Sequence, residues 1–324
     1  MSLSTAPVPT LFGLDAATYR PHDLHVSEER VYLETNCYMD VIIELLHARG
    51  DEPLAAMGST VRLDFEGDQW TFFKPDPADL ERLFGIDIHE MQPWRSIPTQ
   101  IAELLAAGRT LTVELDAWLL PDTASTSYRT EHVKTTVIPE SIDLARGRLQ
   151  YFHNGSLYAV DGDDYRGLFR LDAPDPAFLP PYTELVRFDA GPRLDGDDLR
   201  SASLDALRHH LAHAPSDDPF ARFGERLSAD LPGLLEGDAA AYHAYAFATV
   251  RMAGAGFELL RAHVEWLLGS AGVDASEALG RIVDGAKVLG FRLARQRAFD
   301  PEPIVRDLST AWSDAITALH RAVD

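Results

Sequence analysis

A single cysteine, Cys37, stands in the 324 residues. No disulfide can form within such a chain, and a reducing cytoplasm is the expected setting. No run of eighteen uninterrupted apolar residues occurs, so a membrane-spanning helix is not expected. The opening MSLSTAPVPTLFG lacks the basic and apolar regions of a secretory leader. Positive charge is scarce: 29 Lys and Arg face 51 Asp and Glu, a formal net charge of −22. That balance disfavours phosphate backbones and anionic membranes as partners. Nothing in the sequence asks for a cofactor.

What is present suits a soluble globular protein. Hydrophobic residues make up 46% and charged residues 25%, and the length has room for two domains. After a lead-in punctuated by Pro7, Pro9 and Pro21, YLETNCYMDVIIELLHARG reads as one helix, with Thr35 or Asn36 to cap it and Gly50 to stop it. PADLERLFG and PTQIAELLAAG read as two more. The pattern changes after Gly108: TLTVELDAWLL, HVKTTVIPESID, RGRLQYFHN and SLYAVDG alternate and carry β-formers, and TVRLDFEGDQWTFFK suggests a short strand pair turning at Glu66-Gly67-Asp68. A proline- and aspartate-rich span, DAPDPAFLPPYTELVRFDAGPRLDGDD, marks a break. Beyond it, Ala-, Leu- and Arg-rich segments at about 198–213, 219–236, 238–269, 274–298 and 302–322 read as helices. The expectation is therefore α+β, helices with an antiparallel sheet over 1–190, followed by an all-helical domain over 191–324.

Cys37 falls in the first turn of its helix. Backbone N–H groups there lack intrahelical partners and carry partial positive charge, which favours the reactive thiolate. The plainer alternative is a small buried core residue. A thiolate nucleophile gains from a histidine that accepts its proton. Of twelve histidines, His132 opens a strand directly after the polar run DTASTSYRTE. The following strand ends at His153-Asn154-Gly155, where Asn154 can hold the ring of His132 in one tautomer. Asn-Gly is equally a hairpin turn.

A lone cysteine at a helix start, a histidine opening a strand and an Asn ending the next strand follow the chain order of papain-like cysteine enzymes. The peptidase domains of bacteriocin export transporters share this layout. More specifically, ETNCYMDVIIELLHARGDEPLAAM, DFEGDQWTFFK, LPDTASTSYRTEHVKTTV and YFHNGSLYAVDGDDYRGLFR resemble an uncharacterised bacterial family, domain of unknown function family 1839. That family is similar in layout to the butirosin-type acyltransferase, which moves an aminoacyl group from a carrier-protein thioester to an amine. The resemblance covers about residues 25–190. It implies Cys37 as nucleophile, His132 as base and Asn154 as orienter, in a cysteine-dependent acyltransferase of natural-product biosynthesis. No glutamine precedes Cys37 where papain-like peptidases place one, so Thr35 or Asn36, with the Cys37 N–H, would supply the oxyanion hole. The alternatives are an amidase or peptidase with the same three residues, and a non-catalytic carrier-binding protein.

Three further groups stand out. Asp64, Glu66 and Asp68 alternate around Trp70 and Phe72, a set that suits a cationic amine pocket or a solvated turn. Tyr128, Arg129 and Glu131 adjoin His132 and would contact substrate or hold Asp116 and Glu114. Between Arg281 and Arg297 the cations Lys287, Arg292 and Arg295 offer a docking place for an acidic carrier protein, or simply a solvated helix face. The run HHLAH at His209–His213 has helical metal-pair spacing but no neighbouring glutamate and no third ligand, so no metal is expected.

Overall fold

A computed structural model describes residues 8–172 and 179–324. The first residues of the lead-in and 173–178 of the proline-rich span lie outside them. In chain order the helices are α1 (Asp23–Val26), α2 (Cys37–Arg49), α3 (Pro77–Phe84), α4 (Ile97–Ala106), α5 (Gly162–Leu168), α6 (Gly196–Leu211), α7 (Pro219–Glu236), α8 (Ala239–Ala246), α9 (Met252–Leu268), α10 (Val273–Ala294) and α11 (Glu302–Val323). The strands are β1 (Phe65–Glu66), β2 (Gln69–Trp70), β3 (Asp87–Glu90), β4 (Thr110–Asp116), β5 (Lys134–Asp143), β6 (Arg148–His153), β7 (Ser156–Asp161) and β8 (Thr183–Arg187). Helix, antiparallel sheet and a helical C-terminal region are thus all present.

The chain forms two compact units, and they interleave rather than divide at 190/191. The first holds the chain up to Val26, Cys37–Glu52 and Leu80–Arg193; the second holds Ser27–Asn36, Pro53–Asp79 and Leu194–Asp324. Side chains of the early segments explain the exchange. Tyr32 lies against Gly254 of α9, and Ser203 of α6 donates to the Ala55 carbonyl at 2.8 Å. The 3₁₀ segment Pro53–Arg62 buries Ala55, Ala56, Met57 and Val61 in the second unit.

In the first unit the sheet order is β3-β8-β4-β5-β6-β7, every pair antiparallel. The sequence reading missed β3 and β8. Each is short, and β8 sits inside the span that its prolines mark as a break. Strand alternation gives the sheet two faces. One carries Leu111, Val113, Leu115, Val137, Leu149 and Tyr151, which form a core with Ile101 and Leu105 of α4 and Tyr165 and Leu168 of α5. The other carries Phe152, whose ring meets Tyr19 edge-on; Tyr19 in turn bonds Glu44 of α2. Helix α2 lies across β5 and β6 on this second face.

The second unit is helical apart from the β1–β2 hairpin. Helices α8 and α9, expected as one helix over 238–269, are joined without a break by a π-helical turn, Phe247–Arg251.

Candidate functional site

The strand register decides which of the candidate residues meet. Asp116 pairs with Lys134 across the antiparallel β4 and β5, so two residues after Asp116 and two before Lys134, Trp118 faces His132. Their rings stack with centroids 4.5 Å apart and planes 11° from parallel. Nδ1–H of His132 donates to Oδ2 of Asp116 at 2.6 Å, and Asp116 also accepts from the Trp118 N–H at 3.1 Å through Oδ1. One carboxylate therefore fixes both the ring and the indole that supports it. With Nδ1 protonated, Nε2 is the basic atom of the imidazole, and it has no partner among the described residues. The His132 side chain is 72% exposed.

This pair lines a cavity of about 660 Å³, whose walls include Arg95, Glu114, Asp116, Trp118, Leu119 and His132. That volume lies in the range of small-molecule sites. Glu114, one strand position before Leu115, is held by Lys134 at 2.7 Å.

Cys37 is the first residue of α2 and is half-buried. Two contacts locate the start of α2 on the sheet. Tyr38 is hydrogen-bonded to Glu184, whose register partner is Thr112. Asp40 accepts from His25 Nε2 at 3.1 Å, and the His25 ring lies against Gly155 in the β6–β7 turn. The C-terminal end of α2 lies at the opposite end, where the Arg49 guanidinium sits 5.3 Å from the Phe188 ring. Cys37 and His132 belong to the same unit. They are not hydrogen-bonded: the thiol has no such partner among the described residues, and Cys37 is not part of the cavity wall.

Asn154 sits in the turn between His153 and Ser156, with φ at +45°, a backbone region that asparagine tolerates better than most residues. Its side chain makes no hydrogen bond to His132, whose Nδ1 belongs to Asp116. Asp116, and not Asn154, thus bonds the His132 ring. Gly155 is required by close approach, because a Cβ there would come within 2.7 Å of the His25 ring.

The remaining candidates are placed as follows. Thr35 and Asn36 belong to the second unit and are buried. Asn36 Nδ2 donates to the Phe73 carbonyl at 2.7 Å, while Thr35 Oγ1 donates to the Leu33 carbonyl and accepts from Arg251 at 3.2 Å. Their side chains are thereby engaged within that unit. Tyr128 and Arg129 hold neither Asp116 nor Glu114. Both bind Asp164 of α5, Tyr128 through its hydroxyl at 2.7 Å. Asp64 is paired with Arg222, and Trp70 is buried among Phe65, Phe220, Phe223 and Phe257. Lys287, Arg292 and Arg295 are exposed on and just beyond α10, without ion-pair partners among the described residues. In the HHLAH run, His210 bonds Asp79 at 2.7 Å and His213 turns back to the His209 carbonyl.

Two buried polar clusters escaped the sequence reading. His25 lies between Asp40 and Glu44, one ring nitrogen to each, and Glu44 also takes the Tyr19 hydroxyl and the His22 N–H. The signal was there: two carboxylates four apart on an otherwise apolar helix require buried partners. His153 lies between Asp122 Oδ2, at 2.5 Å, and Thr135 Oγ1, at 2.7 Å, while Tyr151 bonds the other Asp122 oxygen. Asp122 is 31 residues from His153, so no local spacing announces the pair.

The fold and cavity define a two-unit α+β protein whose sheet end carries a carboxylate-oriented histidine. The chain belongs to the DUF1839 family: the DUF1839 N-terminal domain matches residues 20–188 and the DUF1839 C-terminal domain residues 196–321. No curated protein matches it.

Proposed function

We propose that this chain is a papain-like cysteine enzyme that moves an aminoacyl or peptidyl group from a carrier-protein thioester to an amine. One observation supports the reading: the His132–Asp116 pair, on the wall of a cavity of about 660 Å³, belongs to the same unit as Cys37, which opens α2. His132 Nε2 takes the Cys37 proton, and the thiolate attacks the thioester carbonyl. The carrier thiolate leaves and receives that proton from Nε2. The amine then attacks the Cys37 thioester, gives its extra proton to Nε2 and expels the Cys37 thiolate. The two thioesters are nearly equal in energy, so the first half needs a thiolate and a stabilised oxyanion and little else. The Cys37 backbone N–H, at the positive end of α2, suits the oxyanion, since the Thr35 and Asn36 side chains are engaged.

Helix α10 suits the carrier. On a chain of net charge −22, its exposed Lys287, Arg292 and Arg295 form a local basic face for an acidic partner.

Exposure of the His132 ring favours a second reading, hydrolysis by the same residues, because water reaches Nε2 freely. Incubating the purified chain with aminoacyl-carrier protein, with and without an amine such as glycinamide, separates the two. Transfer gives the amide only when amine is present and leaves Cys37 acylated without it. Hydrolysis gives free amino acid in both cases. An unmodified Cys37 throughout, with the carrier thioester intact, overturns both.

A further inference from the structure

We propose that the second unit carries a binding site for an alkylammonium ligand, formed by Trp70, Phe72 and Phe247 with Glu66 as counter-charge. The site is a cavity of about 310 Å³ on the β1–β2 hairpin and the π-helical turn, and all its lining residues belong to the second unit. The proposal does not depend on the reading of Cys37.

Three observations converge. The first is aromatic surface left to water. Trp70 is buried with four phenylalanines, yet the neighbouring Phe72 and Phe247 remain 53% and 45% exposed. Burial of such rings is favourable, and side chains that stay out of a core beside a cavity present their faces to whatever enters it. Phe247 opens the π-helical turn, a local departure from α-helix that frequently marks functional positions.

The second is charge. Glu66 is exposed, and its carboxylate makes no hydrogen bond or ion pair among the described residues. Its neighbour Asp64, by contrast, is taken by Arg222. The third is the absence of any lysine or arginine from the lining, which is otherwise Gln69, Thr71, Ala248 and Met252. The exposed rings of Phe72 and Phe247 can attract a cation through the ring quadrupole, and an unpaired carboxylate at the rim adds the Coulomb attraction. An anion would meet repulsion from both. A neutral apolar ligand would use the rings and leave Glu66 unused.

The test compares n-pentylammonium with pentan-1-ol, its uncharged analogue, by calorimetric titration of the full chain. The site predicts that the ammonium binds at least tenfold more tightly. Glu66→Gln should weaken the ammonium at least fivefold and leave the alcohol unchanged, and Phe247→Ala should weaken both. Both positions are exposed, and an unchanged thermal melt confirms that each variant is folded. Equal affinity for the two probes, no binding of either, or ammonium binding indifferent to Glu66→Gln would overturn the proposal.

Discussion

His132 and Asp116 form an oriented imidazole–carboxylate pair on the wall of the 660 Å³ cavity, with Nδ1 to Oδ2 at 2.6 Å and the ring flat on Trp118. On the proposed mechanism Nε2 does the acid–base work. His132→Ala should lower acyl transfer by about 10²–10⁴-fold, the usual share of a general base. Asp116→Asn can present a carbonyl or an amide to Nδ1, and the wrong choice inverts the tautomer, so a loss of comparable size is expected. The pH–rate profile of Asp116→Asn should shift, which a purely structural lesion would not produce.

Asn154 provides the contrast. If its place is a turn position with φ at +45°, Asn154→Gly should leave turnover within about twofold and stability within a few tenths of a kcal/mol. A loss comparable to that of His132→Ala would return the orienting role to Asn154.

Much of the fold was legible because its long elements have a clear period. The strand candidates after Gly108 became β4 to β7 with ends displaced by a few residues, and Cys37 does open α2. The helical C-terminal region was legible from Ala, Leu and Arg content, while the π-helical turn at Phe247 has no sequence signature. The interleaving of the two units was not legible, because it rests on the fit of Tyr32 against Gly254 and of Ser203 against Ala55, contacts that span about 150 residues or more. At the candidate site the histidine could be picked out by its position at a strand start. Its carboxylate partner could not, since Asp116 reaches it through strand register; Asn154, adjacent to a glycine, was chosen for a role that its turn geometry does not express.

Gly254 and Gly233 offer a paired test of packing in the second unit. A Cβ on Gly254 would stand 2.2 Å from the Tyr32 ring, whereas one on Gly233 meets nothing within 4 Å. Gly254→Ala should therefore lose about 2 kcal/mol, overpacking outweighing the better helix propensity. Gly233→Ala should be neutral or gain up to about 1 kcal/mol. Urea denaturation measures both.

Acid should weaken the second unit through His263. Burial pushes its pKa down to about 4 from 6.5, while the Leu54 carbonyl, which accepts from Nδ1 at 2.7 Å, and Asp79 oppose that shift only in part. Between these values the unfolded chain binds the proton and the folded chain does not. Stability is thus fully present above pH 6.5 and falls as pH drops toward 4, by about 3 kcal/mol over the window. His263→Met should flatten this part of the pH–stability curve. An unchanged slope in the variant would assign the acid sensitivity to other groups.

The account stands on Cys37 as the atom that carries the acyl group. Intact-mass measurement after mixing the chain with an aminoacyl-carrier protein should reveal one added aminoacyl unit, lost on treatment with hydroxylamine and absent in Cys37→Ala. A chain whose mass stays unchanged while the carrier thioester remains intact, or an adduct that persists in Cys37→Ala, contradicts it.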